Sequence, residues 1–121
     1  IMASILRVNT LTDASSNNST AMSTINQGTA KCWARMTMSG TPSYHDSFNA
    51  GSITDNGTGD MTFTITSAMG NADFCVTSGD GNDNALDEGI TTTTYRQVSR
   101  DNSGTKADSD RVSFTCMGDL A

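Results

Sequence analysis

The sequence has 121 residues and a mass of 12.7 kDa, a length that suits one domain. A formal net charge of −6 disfavours a nucleic acid or an anionic membrane surface as partner. No apolar run approaches the roughly 20 residues of a spanning helix, so no membrane insertion is expected, and none has the layout of a signal peptide.

Hydrophobic residues make up 35% of the chain and the mean hydropathy is −0.37, so the core must be thin. The modest charge and the strong patterning of the apolar positions argue against disorder. A thin core with abundant Thr, Ser, Asn and Gly points to an all-β unit that gains stability from neighbouring subunits.

In chain order, residues 1–30 stand apart. Ile5, Leu6, Val8 and Leu11 form a brief apolar patch, read as a short strand or as a stub that docks on another chain. The run "TDASSNNST" after it is a turn or loop. From Lys31 the sequence becomes regular. "KCWARMTM" alternates Cys32, Ala34, Met36 and Met38 against Trp33, Arg35 and Thr37, the period of a strand with one buried face. "SGTP" breaks it at Gly40 and Pro42, and "SYHDSFN" then sets Tyr44, Asp46 and Phe48 on one face.

"SITDNGTGDMTFTIT", residues 52–66, reads as a hairpin. Met61, Phe63 and Ile65 alternate with Thr62, Thr64 and Thr66, and Asn56-Gly57 supplies a turn that tolerates positive φ. The connection from Asp55 to Gly59 predicts a bulged or longer loop. "ADFCVTS" places Phe74 and Val76 together and turns Cys75 away. "ITTTTYRQVS" is rich in β-formers, and "DRVSFTCM" aligns Val112, Phe114 and Cys116. No helical stripe of useful length is present. Short strands at this spacing read as a sandwich or barrel, and an antiparallel β-sandwich over 31–121 is the expectation, with an extended segment before it. Its core should hold Phe63, Ile65, Phe74, Val76, Val112 and Phe114.

Three cysteines, Cys32, Cys75 and Cys116, lie inside strand-like runs. They form neither a disulfide framework nor a CxxC zinc site, and are expected as free thiols of a protein folded in a reducing cytoplasm, with room for one pairing. His45 is the only histidine, which excludes a histidine-based metal cluster, and no G-x-S-x-G elbow accompanies it. No enzymatic activity and no cofactor are expected.

In "GDGNDNALDEG", residues 79–89, Asp80, Asn82 and Asn84 have the spacing of the first three ligands of a calcium loop. Ala85 then stands where the turn wants Gly, and Thr91 where the bidentate Glu belongs, so the expectation is a solvated acidic loop without metal. "RDNSGTKADSD" reads as a similar loop. Trp33, Tyr44 and Tyr95 are candidates for stacking on sugars, although a Trp inside a strand is better placed for core or interface packing. Loops carry function on rigid β scaffolds, which makes Asp80, Asn82, Asp83, Asp87 and Glu88 the candidate receptor-facing residues.

"MASILRVNTLTDASSNNSTAMSTINQGTAKCWARM", residues 2–36, resembles the start of small tail-fibre and virion structural proteins of marine tailed bacteriophages. These have a Met-Ala-Ser-x-Leu-x-Val stub, an Asp-x-Ser-x-Asn-Asn turn and a Lys-Ala-Trp strand, with Cys32 here in place of the Ala. "SFNAGSITDNGTGDMTFTITSAMGNADFCV", residues 47–76, is similar to their fibre-tip module, most specifically over 52–60, and the likeness thins after residue 78. The resemblance implies a fibre-tip-like β-sandwich and a homotrimer that is assembled in the host cytoplasm and carried on the virion. It also implies other virion proteins as partners and a host surface glycan or protein as receptor. Ile5, Leu6, Val8 and Leu11 would then be anchoring or subunit contacts. Two alternatives remain beside the fibre: a capsid decoration protein, favoured by the absence of a long shaft, and a carbohydrate-binding module.

Overall fold

The computed structural model describes residues 4–16, 18–81 and 84–121, without the side chains of 84–87. Strands dominate it. Two short ones, β1 (Thr10–Thr12) and β2 (Ser19–Ala21), pair as a hairpin and lead into α1 (Met22–Gly28). Eight more then form two four-stranded antiparallel sheets: β3 (Ala30–Thr37), β4 (Ser43–Phe48), β5 (Ala50–Gly57), β6 (Asp60–Ile65), β7 (Cys75–Gly79), β8 (Asn84–Glu88), β9 (Thr94–Arg100) and β10 (Val112–Met117). The first sheet has the order β4-β3-β10-β7 and the second the order β5-β6-β9-β8. The fold is all-β, as the alternation from Lys31 onward predicts, with the sheets packed face to face.

The inward faces follow from the pleat. Cys32, Ala34 and Met36 of β3 and Val112, Phe114 and Cys116 of β10 are buried from one side, and Met61, Phe63, Ile65 and Tyr95 from the other. An aromatic cluster joins the sheets. The Phe63 ring lies 4.9 Å from that of Phe114 and 5.9 Å from that of Tyr95, and Tyr95 lies 5.1 Å from Phe114. Such tilted and offset pairs add to the burial of the rings themselves. Five of the six expected core residues are buried, and Val76, on the edge strand β7, is partly buried. Cys75 is exposed, as its place in the alternation requires.

The structure corrects several local expectations. On β4, Asp46 pairs with Arg35 and Tyr44 with Met36, so His45 is an extra residue in a bulge. A bulge shifts the side-chain alternation by one. Tyr44 therefore faces the core, while Asp46 and Phe48 face out, not all three together. In the hairpin, β5 runs on to Gly57 and the turn falls at Thr58-Gly59, not at Asn56-Gly57. The expected bulge is present, with Asn56 as the unpaired residue between the Asp55–Met61 and Gly57–Asp60 pairs. Residues 84–88 of the expected acidic loop form β8, an edge strand on β9. The helix α1 was not expected, since seven residues without a side-chain cap carry no readable stripe.

Candidate functional site

The topology gives the sandwich two unlike ends. β3 starts, β4 ends, β5 starts and β10 ends at one of them, because neighbours in both sheets are antiparallel and Asn49 alone links β4 to β5. There α1 joins β3. At the other end, about 20 Å away along strands of this length, lie the turn at Gly59, the segment after Gly79 and the long connection between β9 and β10.

The N-terminal arm leaves from the first end. Residues of β1 and β2 are exposed without exception, and α1 buries none of its side chains. Ile5 is 72% exposed, Leu6 80% and Leu11 46%, with Val8 also open to solvent. The hairpin is closed by Asp13: its carboxylate accepts the Ser15 N–H (3.1 Å) and the Asn18 side-chain amide (2.7 Å). This is the loop expected of the Ser/Asn run. Beyond α1, the Lys31 ammonium donates to the Asn26 carbonyl and to Thr29 Oγ1, so a cation satisfies orphaned acceptors at the helix C-terminus.

Beside the arm, a cleft of about 330 Å³ opens between Lys31, Phe48, Asn49, Thr66 and Leu120. Phe48 (53% exposed) and Leu120 (44%) give it an apolar rim. Asn49 is its floor and a junction of the two sheets. It adopts φ 56°, donates from Nδ2 to the Lys31 and Ser67 carbonyls (2.9 and 3.1 Å) and accepts the Ser67 N–H at 2.7 Å. Phe48 stands opposite Trp33 on the outer face of the first sheet.

At the far end the long connection folds back over the second sheet. The Ala107 N–H donates to Ser99 O, the Ser99 N–H to Gly59 O, and the Gly59 N–H to Asp108 Oδ1. Its anchor is Asp60, buried on the outer face, which takes Arg96 at both carboxylate oxygens and also Lys106 and Asn56. The Arg96 guanidinium, followed by Lys106 and Asn56, holds the Asp60 carboxyl far below the ordinary carboxylate range against the opposing effect of burial. Expected as a plain solvated loop, this stretch is instead a pinned one.

Of the candidate receptor-facing residues, Asn82 and Asp83 lie outside the described residues, and Asp87, like the calcium candidate Asn84, is placed only by its backbone in β8. Glu88 is exposed and pairs with Arg96 at 3.3 Å. Asp80 departs from expectation, because both its carboxylate oxygens are buried and accept no hydrogen bond from the described residues. No group of three His, Cys, Asp or Glu side chains suited to a metal occurs among the described residues. Of the aromatic sugar-stacking candidates, Tyr95 is fully buried and Tyr44 packs against the core, where burial pushes its phenol up to about 12. Trp33 alone keeps an accessible face, half-buried on β3. His45 is exposed in the β4 bulge.

The ion-pair anchor was invisible in the sequence, because Asp60 and Arg96 are 36 residues apart. The one available signal was an Asp at the mouth of a strand whose neighbours are apolar or Thr. No family model, curated protein or solved structure matches the chain.

Proposed function

We propose that this chain is a bacteriophage virion structural protein, most specifically a tail-fibre component that attaches the particle to its host. The observation that carries the reading is the two-ended layout: an apolar, unburied arm leaves one end of the sandwich, and polar loops cap the other. A hairpin of two three-residue strands and a two-turn helix with no buried side chain do not hold their shape alone in water. They call for a covering surface, and a homotrimer or a neighbouring virion protein provides one at Ile5, Leu6, Val8 and Leu11. The resemblance at residues 2–36 and 47–76 points the same way. The distal loops then face the host glycan or protein.

Deleting residues 1–30 tests the arm. The truncated domain should fold and yet fail to enter particles; normal incorporation removes the anchoring role. Light scattering on the full chain should give about three times 12.7 kDa, and a stable monomer mass at micromolar concentration excludes the trimer. A density map of the virion places the protein: on the tail for this proposal, on the head for a capsid decoration protein.

A further inference from the structure

Cys32 and Cys116 stand directly opposite one another on β3 and β10, the two central strands of their sheet. Both are fully buried and both face the interior of the sandwich. Directly opposed residues of an antiparallel pair hold their Cα atoms about 4.5–5.5 Å apart. A disulfide accommodates Cα separations of about 4.4–6.8 Å. The pleat therefore sets the two side chains on one face of the sheet at a Cα separation that a disulfide can span, beside the bulge between Cys116 and Met117. The two thiols also act on one another's ionisation: the neighbouring Cys116 draws the Cys32 thiol below its ordinary range, while Cys32 and burial push that of Cys116 up.

Cys75 cannot substitute for either of them. Val76 is the residue opposite Cys116 on β7, and Cys75, opposite Met117, projects from the other face of the sheet into solvent.

The geometry points to a covalent modification site inside the core: Cys32 and Cys116 close into a cross-strand disulfide when the protein meets an oxidising small-molecule disulfide. The Cys32 thiolate attacks one sulfur of the oxidant, whose S–S bond breaks and releases its first half. Cys116 then gives up its proton and attacks the Cys32 sulfur of the mixed disulfide, which releases the second half. The two protein thiols lose two electrons and two protons, and the oxidant leaves as two thiols. Both sulfurs are inaccessible in the closed sandwich, so the reaction proceeds through transient opening and is slow relative to reaction at Cys75. In a reducing compartment the pair stays open. Once closed, it ties the first strand of the sandwich to the last and encloses every strand between them. A cross-link over so long a loop restricts the unfolded chain strongly.

The test uses the full-length protein carrying Cys75→Ser, an exposed position, incubated with excess oxidised glutathione and then unfolded and alkylated. The expected result is loss of both alkylatable thiols and a Cys32–Cys116 cross-linked peptide in the digest. The cross-linked form should melt about 10 °C or more above the reduced form. With all three cysteines present, Cys75 alone should take up glutathione stably. The proposal is overturned if both thiols remain alkylatable after incubation near the melting midpoint, if the recovered cross-link in the three-cysteine protein contains Cys75, or if the cross-linked form melts no higher than the reduced one.

Discussion

Asp60 and Arg96 meet in a two-point ion pair on the outer face of the second sheet: Nε donates to Oδ1 at 2.8 Å and Nη2 to Oδ2 at 2.5 Å. The carboxylate is buried while the guanidinium is more than a third exposed, and Lys106 arrives from the long connection to share Oδ2. One strand residue thus pins the connection through Lys106, 46 positions later in the chain, on the strand face where its ladder partner Val98 is fully buried.

Replacing Asp60 with Asn should destabilise the domain by about 1–3 kcal/mol. The figure sits below the 3–5 kcal/mol of a fully buried broken pair, because solvent screens both cationic partners. Urea unfolding of the two proteins measures it. An unchanged midpoint would mean that the connection is held by its backbone hydrogen bonds alone.

The same carboxylate sets an acid limit. Its folded pKa is depressed below the ordinary 3.8. The unfolded chain therefore takes up this proton first as pH falls, and the stabilisation, full above about pH 5, is lost progressively below about pH 4. Melting temperatures of wild type and Asp60→Asn should converge as pH drops toward 2. A gap that stays constant over that range would assign the acid response to other carboxylates.

Gly59→Ala should cost about 3 kcal/mol. The residue sits at φ 63°, and a Cβ there would lie 2.6 Å from Ser99 O and from Ala107 N, both backbone atoms of the strand and the loop it joins. Thermal melts compare the variant with Thr58→Ala in the same turn, which should change little.

Phe63→Ala removes the ring that touches Tyr44, Tyr95 and Phe114, and should cost about 3–5 kcal/mol. A melt unchanged by this substitution would contradict the placement of β6 in the core.

The strands that could be read from sequence are those whose alternation runs unbroken. Met61, Phe63 and Ile65, like Val112, Phe114 and Cys116, keep strict period two, and each set is buried. β4 misled because one extra residue, His45, reverses the faces on either side of it, and a bulge leaves no mark in composition. Asn56-Gly57 looked like the turn, and the chain instead spent Asn56 as a bulge whose amide reaches Asp60 and Thr62. β9 hid its depth because its inward residues, Tyr95, Gln97 and Ser99, are polar or amphipathic, yet all three are buried. At the site, the exposed apolar arm was legible because Ile5, Leu6 and Leu11 lie among polar neighbours with no period to bury them. The anchor at Asp60 was not, since it exists only once β6, β9 and the following loop are assembled.

The strand order also dictates when the parts can come together. Three pairs, β3–β4, β5–β6 and β8–β9, are hairpins of chain neighbours and can form early and independently. β7 has no such option. It pairs only with β10, as does the free edge of β3, so that sheet stays half built until β10 docks between them. Closing that distance before any contact rewards it is the slow step in all-β topologies, which fold in milliseconds to seconds. In the interval, β3 presents an unpaired edge whose apolar face includes Met36 and Cys32. Substitutions on β10 such as Phe114→Leu should therefore lengthen the lifetime of an aggregation-prone intermediate and lower the yield of folded protein at 37 °C by more than their effect on the melt accounts for.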